Sequence, residues 1–266
     1  MNNSTALYDF FPGSLPLLVN VPHCGTGLPQ DLAERMTPAA LAVPDTDWHV
    51  EKLYDFVTGL GVGLMAAKLS RYVVDLNRDP EGKPLYPGAD NTELCPSRSF
   101  GNQPVYLDGS SVAPAEMAER RALYWQPYHD RLAAELAALK ARHGFVLLLD
   151  GHSIPSMVPR FFEGRLPDLN LGTNDMQSCD AGLAAQAYAA LQRDTRFSHV
   201  HNGRFKGGYI TRHYGRPADG MHALQLELAE ICYMDEAQPQ PYDAARAAPL
   251  IDVLRGLVEA LLQWRP

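Results

Sequence analysis

The sequence predicts an α/β protein: one domain over residues 1–266, with a central twisted, mixed β-sheet flanked by helices. Three observations predict it. Short apolar runs recur along the chain with little polar–apolar alternation, as expected for strands covered on both faces. Amphipathic segments with helix-capping residues lie between those runs. No composition shift or internal repeat divides the 266 residues, a length that suits one large domain.

In chain order, the first expected strand is PLLVNV at 16–21. A helix follows over 45–61 (DTDWHVEKLYDFVTGLG), capped by Asp45 and Thr46, with Trp48, Leu53, Phe56 and Val57 on one side and a terminal glycine. VGLMAA at 62–67 and RYVVDL at 71–76 are the next two strands. The Gly/Pro-rich stretch 79–113 is long for a loop and reads as an excursion over the functional site. Residues 114–144 predict helix, opening at Pro114, breaking near Pro127 and closing at Gly144 behind basic residues. GFVLLLD at 144–150 is a strand, and 153–178 a second excursion. A helix over 180–194, a strand HALQLEL at 222–228 and an amphipathic helix over 245–264 complete the chain.

Composition narrows the function. A formal charge of −8 argues against a nucleic-acid or acidic-membrane surface, since both require a basic face. A small anionic substrate is compatible, because a few local arginines outweigh a negative average. Cys24, Cys95, Cys179 and Cys232 are scattered without a CxxC pair, so reduced thiols are expected rather than a disulfide framework or cysteine zinc site. The amino-terminal MNNSTALYDFFPGSLP lacks the charge and apolar core of a secretory signal, and no apolar run is long enough to span a bilayer. The expectation is a soluble cytoplasmic protein; nothing here specifies an oligomeric state.

Polar residues gather at the ends of the expected strands. His23 follows the first in VPHCGTGLP, Asp75, Asn77 and Arg78 end the third in RYVVDLNRDP, Asp150 and His152 end LLLDGHS, and Glu227 lies in LQLELAE. Open α/β sheets keep their chemistry at the carboxyl edge, and two histidines with acids are the ingredients of a metal site with an open position. Taken singly, each histidine is more often a hydrogen-bonded structural residue than a ligand. Ser153 beside His152 lacks a Gly-x-Ser-x-Gly elbow, and neither it nor Cys24 is read as a nucleophile.

In order, VPHCGTGLP, DTDWHVEKLY, SRYVVDLNRDP, DGHSIPS and GRFKGGYITRHYGRPADGMHALQLELAE resemble the N-formylglutamate amidohydrolase (deformylase) family of histidine degradation, over residues 15–260. That family is distantly similar to zinc carboxypeptidases. The resemblance implies a carboxypeptidase-like fold and a Zn2+ site, or one for another divalent ion. It matches His23 and His152 to the metal histidines. The carboxypeptidase His-x-x-Glu pattern is absent, since Thr26 stands three residues after His23, and Asp47 is the best replacement, with Asp45 and Glu51 behind it. Glu227 matches the general base. Asn77 and Arg78 match the pair that grips a substrate carboxylate, suited by the planar guanidinium fork. Arg71 and Arg212 are candidates for a second carboxylate, and Tyr209 for a further substrate contact. The implied reaction is metal-dependent hydrolysis of N-formyl-L-glutamate to formate and L-glutamate; the alternative is a related amidohydrolase acting on another N-acyl amino acid or small peptide.

Overall fold

A computed structural model describes residues 6–85, 88 and 90–266. The first five residues of the amino-terminal segment, and Tyr86, Pro87 and Ala89 of the 79–113 excursion, lie outside the described residues.

Four of the expected strands form: β2 (Leu17–Val21), β3 (Gly63–Ala67), β4 (Val146–Ile154) and β7 (Met221–Ala229). They run parallel to one another. Three further short strands form: β1 (Tyr8–Phe11), β5 (Leu169–Gly172) and β6 (His199–His201). One seven-stranded sheet results, in the order β1-β3-β2-β4-β7-β5-β6. It is mixed as expected, because β1 is antiparallel to β3 and β5 antiparallel to β7.

The run 71–76 is not a strand. It winds through turns in which Val73 N–H donates to the Ser70 carbonyl and Asp75 N–H to the Leu94 carbonyl. Its apolar residues are buried all the same, Tyr72 and Val73 in one cluster and Val74 and Leu76 in another. A buried apolar run of this length fits either structure, and periodicity cannot separate them.

The expected helix at 45–61 is also corrected. His49 has φ 64°, which breaks helical geometry, and only two short turns form, α3 (Val50–Leu53) and α4 (Phe56–Gly59). Two further turns, α1 (Gln30–Ala33) and α2 (Pro38–Leu41), precede them. The 114–144 segment breaks as α5 (Pro114–Arg120), a π-helical turn over Arg121–Trp125, and α6 (Gln126–His143). The helical geometry is nonetheless continuous through these three pieces, and the π-helical turn ends just before Pro127, the residue that cannot donate a helical N–H. Farther on lie α7 (Ala181–Leu191), α8 (Tyr209–Tyr214) and α9 (Ala244–Gln263). Asp180 caps α7 and Asp243 caps α9, each side chain accepting two main-chain N–H groups. No helix among the described residues is long and apolar enough to cross a membrane.

The two faces of the sheet carry separate cores. Leu17, Val19, Leu147, Leu149, Leu224 and Leu226 pack with residues of α3, α4, α7 and α9. Leu18, Met65, Leu148 and Ala223 pack with α6, Trp125 and Ile210. On this second face the strands turn polar toward their carboxyl ends. Register aligns Asn20 with Asp150, Asp150 with Gln225, and His152 with Glu227. Residues two apart on a strand share a face, so Asp150 and His152, and Gln225 and Glu227, all stand on it. Gly151 between the first two lets the Tyr54 ring approach, since a Cβ there would meet it at 2.7 Å.

Candidate active site

Three side chains from distant parts of the chain meet above the carboxyl edge. His23 follows β2, His152 lies near the end of β4, and Asp47 sits in the turn before α3. One potential ligand atom from each falls within 4.8 Å of the others, and all three residues are buried. Main-chain bonds hold the group together. Asp47 N–H donates to the His23 carbonyl at 3.0 Å, and Ser153 N–H donates to Asp47 Oδ2 at 3.1 Å.

Each imidazole is aimed by a carboxylate behind it. His23 Nε2 lies 2.7 Å from Asp75 Oδ1, and His152 Nε2 lies 2.8 Å from Asp150 Oδ2. Both Nδ1 atoms point toward Asp47 Oδ2, from 3.7 Å for His23 and 3.1 Å for His152, and in the neutral rings, with Nε2–H donating to those acids, they are free to act as ligand atoms. Buried His23 Nδ1 has no hydrogen-bond partner among the described residues. An unpaired buried nitrogen is costly, and carboxylate-backed histidines are the usual support of a metal centre. This N, N, O donor set therefore fits a divalent ion such as zinc.

Neither alternative acid completes the group. Asp45 accepts the Phe100 N–H at 2.9 Å and supports that loop, while burial raises its carboxyl to about 6. Glu51 lies on α3, half-buried, with Oε2 unpartnered among the described residues.

Arg71 neutralises much of the buried negative charge. It is 6% exposed, its guanidinium is hydrogen-bonded to Asp47 Oδ1 and 3.8 Å from Asp75 Oδ2, and it lies over the Phe100 ring. Burial alone would raise the Asp47 carboxyl, but Arg71 and the two histidines hold it well below the usual range. Burial is likewise outweighed at Asp75, chiefly by His23 and Arg78. At His152 burial disfavours the charged ring, yet Asp150 and Asp47 together raise its pKa well above the ordinary value. Glu227 behaves differently. Burial raises it to about 7, with nearby Asp47 adding to the shift and His152 opposing it.

A cleft of about 610 Å³, open to solvent, reaches His23, His152 and Glu227. Arg71, Asn77 and Arg78 line it as well. The Asn77 side chain is fixed, with Oδ1 accepting Ile210 N–H at 2.8 Å and Nδ2 standing 3.0 Å from His152 Nε2. Gly208 makes room for it, since a Cβ there would fall 2.3 Å from Asn77 Nδ2. Arg78 donates from Nε to Thr92 Oγ1 and from Nη1 to the Asn77 carbonyl. Tyr209 and Arg212 instead line a neighbouring pocket that shares Arg78 and Leu85 with the cleft.

Sequence reasoning missed several lining residues. Gln225 Nε2 donates to Glu227 Oε2 at 3.0 Å, and the two-residue strand period was the signal that could have found it. Arg204 and the apolar wall of Phe100, Phe161 and Phe205 had no such signal. Asp75 and Asp150 were legible as acids near strand ends, but not as supports for the histidines.

Comparison with known proteins follows the same line. A profile of the family described as N-formylglutamate amidohydrolase matches residues 15–234. The chain is 49% identical over 256 residues to an N-formylglutamate deformylase of Pseudomonas aeruginosa, and 46% identical over 258 residues to one of Pseudomonas putida; each match covers 96% of both chains. Among solved structures, an N-formylglutamate amidohydrolase from Ralstonia eutropha JMP134 is similar with a TM-score of 0.80 and 27% identity, over 97% of each chain. The gene product Atu2144 from Agrobacterium tumefaciens, at 18% identity and a TM-score of 0.72 over 97% of this chain and 96% of that one, shares the fold. The chain belongs to the N-formylglutamate amidohydrolase family.

Proposed function

We propose that this member of the N-formylglutamate amidohydrolase family hydrolyses N-formyl-L-glutamate to formate and L-glutamate, as a cytoplasmic, metal-dependent enzyme of histidine degradation. The observation that carries the reading is the convergence of His23, Asp47 and His152, two of them backed by acids, beside Glu227 in one cleft. The relatives named N-formylglutamate deformylase, 49% and 46% identical, support the choice of substrate. The four cysteines, all free, are in keeping with a reducing compartment.

In this reading His23, Asp47 and His152 hold a divalent ion, zinc being the expected one. When bound, such an ion supplies Lewis acidity toward the formyl oxygen and toward a water. Glu227 takes a proton from the attacking water, whose oxygen bonds to the formyl carbon. Glu227 then returns the proton to the amino nitrogen as the C–N bond breaks, leaving formate and glutamate. A carboxyl held near neutrality suits both halves of this transfer. Gln225 orients it by donating to Oε2. Asn77 and Arg78 bind the α-carboxylate of a small anionic substrate, and the apolar rings of Phe100, Phe161 and Phe205, which also line the cleft, limit water. Arg71 neutralises Asp47 and Asp75.

The test is formate release from N-formyl-L-glutamate, set against the N-acetyl and N-succinyl analogues, before chelation, after it, and on zinc re-addition. Turnover lost on chelation and regained with zinc is the expected result. Faster hydrolysis of an analogue would redirect the reading to another N-acyl amino acid, and activity indifferent to chelation would end the metal-dependent one.

A further inference from the structure

N-formylglutamate carries two carboxylates, and the proposed reading assigns one of them to the Asn77–Arg78 pair. Among the described residues, the arginines lining the cleft are Arg71, Arg78 and Arg204. Arg71 is committed to Asp47 and Asp75. Arg212 lines the neighbouring pocket, and its Nε donates to the Gly207 carbonyl. Arg204 lines the same cleft as Glu227, on a segment separate from Arg78.

The segment carrying Arg204 is clamped at both ends. Asn202 N–H donates to the Leu171 carbonyl of β5 at 2.8 Å, and Gly208 N–H donates to Gln225 Oε1 of β7 at 2.7 Å. The guanidinium is anchored too, its Nε donating to the Phe161 carbonyl at 2.7 Å. Phe161 and Phe205 line the wall beside it. A guanidinium fixed against an apolar wall binds a carboxylate more strongly than one waving in water, because little order is lost and local screening is weak. The Gln225 amide, moreover, contacts both this segment and Glu227, so the cation and the base are held in one frame.

We propose that Arg204 is the specificity-determining residue for the side-chain carboxylate of an N-formyl dicarboxylic amino acid, an inference that rests on the amidohydrolase reading. Arg78 then takes the α-carboxylate, and the substrate spans the cleft between two arginines on different segments.

The test compares N-formyl-L-glutamate with its side-chain amide, N-formyl-L-glutamine, in zinc-loaded wild type, Arg204→Met and Arg204→Lys. Arg204→Met is expected to lower kcat/KM for the acid about a hundredfold, mainly through KM, while changing that for the amide by less than about threefold. Arg204→Lys, which keeps the charge without the fork, is expected to restore part of the preference for the acid. An acid-over-amide preference unchanged in Arg204→Met overturns the proposal. So does an equal loss on both substrates that Arg204→Lys does not reverse. Failure of the wild type to hydrolyse either substrate would instead sink the amidohydrolase reading beneath it.

Discussion

His152 on β4 and Glu227 on β7 are register partners on adjacent parallel strands, so their side chains leave the same face of the sheet side by side. Neighbouring strands lie about 4.8 Å apart, which sets an imidazole of the candidate metal group and a buried carboxyl next to each other without help from any loop. The carboxyl is kept near neutrality by the burial that this position imposes.

Replacing that carboxyl should stop the chemistry and spare the site. Glu227→Gln is expected to lower kcat by about 10²–10⁴-fold, the range for loss of a general acid–base group. Metal content by elemental analysis should stay at the wild-type level. In the wild type, protonating Glu227 removes the base, so kcat/KM should fall with unit slope below the operative pKa. That pKa is about 7 in the metal-free protein, and a bound metal ion favours the charged carboxylate and moves the limb lower. A pH–rate profile with no such acidic limb would remove Glu227 from the role.

Metal loading should release protons. In the metal-free protein Asp150 and Asp47 keep His152 protonated well above the ordinary imidazole range, and a ligand must be neutral. Zinc titrations near pH 7 in buffers of different ionisation enthalpy should show net proton release, with affinity weakening as pH falls. The same titrations followed thermally should show a higher Tm on loading, because the ion binds only the folded chain.

The acids behind the histidines should matter nearly as much as the ligands. Asp75→Asn and Asp150→Asn keep the shape but remove the charge that aims each ring. Each is expected to weaken zinc binding about 10–100-fold, read by competition with a chromophoric chelator. Unchanged affinity in both would mean that the rings are positioned by packing alone.

Arg71→Met should cost stability more than substrate affinity. It leaves the buried carboxylates of Asp47 and Asp75 without their guanidinium, and breaking a buried ion pair from one side costs about 3–5 kcal/mol. Urea unfolding of the metal-free protein measures this. A stable variant with a raised KM would return Arg71 to a substrate-binding role.

Gly208→Ala tests the fit around Asn77. The added methyl would fall 2.3 Å from Asn77 Nδ2, so the amide must move away from His152 and Ile210. Overpacking of this kind costs about 1–3 kcal/mol, and kcat/KM should fall while zinc binding persists. Full activity in this variant would show that the placement of Asn77 is dispensable.

Much of this arrangement was legible in advance, and the limits of legibility are physical. Long apolar runs marked β2, β3, β4 and β7, because a strand buried on both faces needs apolar residues nearly throughout. The run 71–76 has the same composition and forms turns, because its N–H groups find partners in Ser70 and Leu94 rather than in a ladder. β5 and β6 have four and three residues, too few to carry a period. Of the acids near His23 and His152, the sequence resemblance put Asp47 first, with Asp45 and Glu51 behind it, but residue order alone could not place any of them in space. The left-handed His49 and the bond from Asp47 N–H to the His23 carbonyl select Asp47, and neither leaves a mark in residue order.

The sequence by itself determined the α/β class, the strand ends that bear chemistry and the membership of His23, His152, Asn77, Arg78 and Glu227 in one set of motifs, since these rest on residue type and short-range order. Tertiary structure alone decided that Asp75 and Asp150 back the two histidines, that Arg71 pairs with Asp47 and Asp75, and that Arg204 rather than Arg212 lines the cleft. Each of those relations joins residues distant along the chain, apart from Asp150 with its strand neighbour His152 and Arg71 with nearby Asp75. They arise from parallel strands setting their carboxyl ends side by side and from loops crossing between them, and such distances are created only by packing.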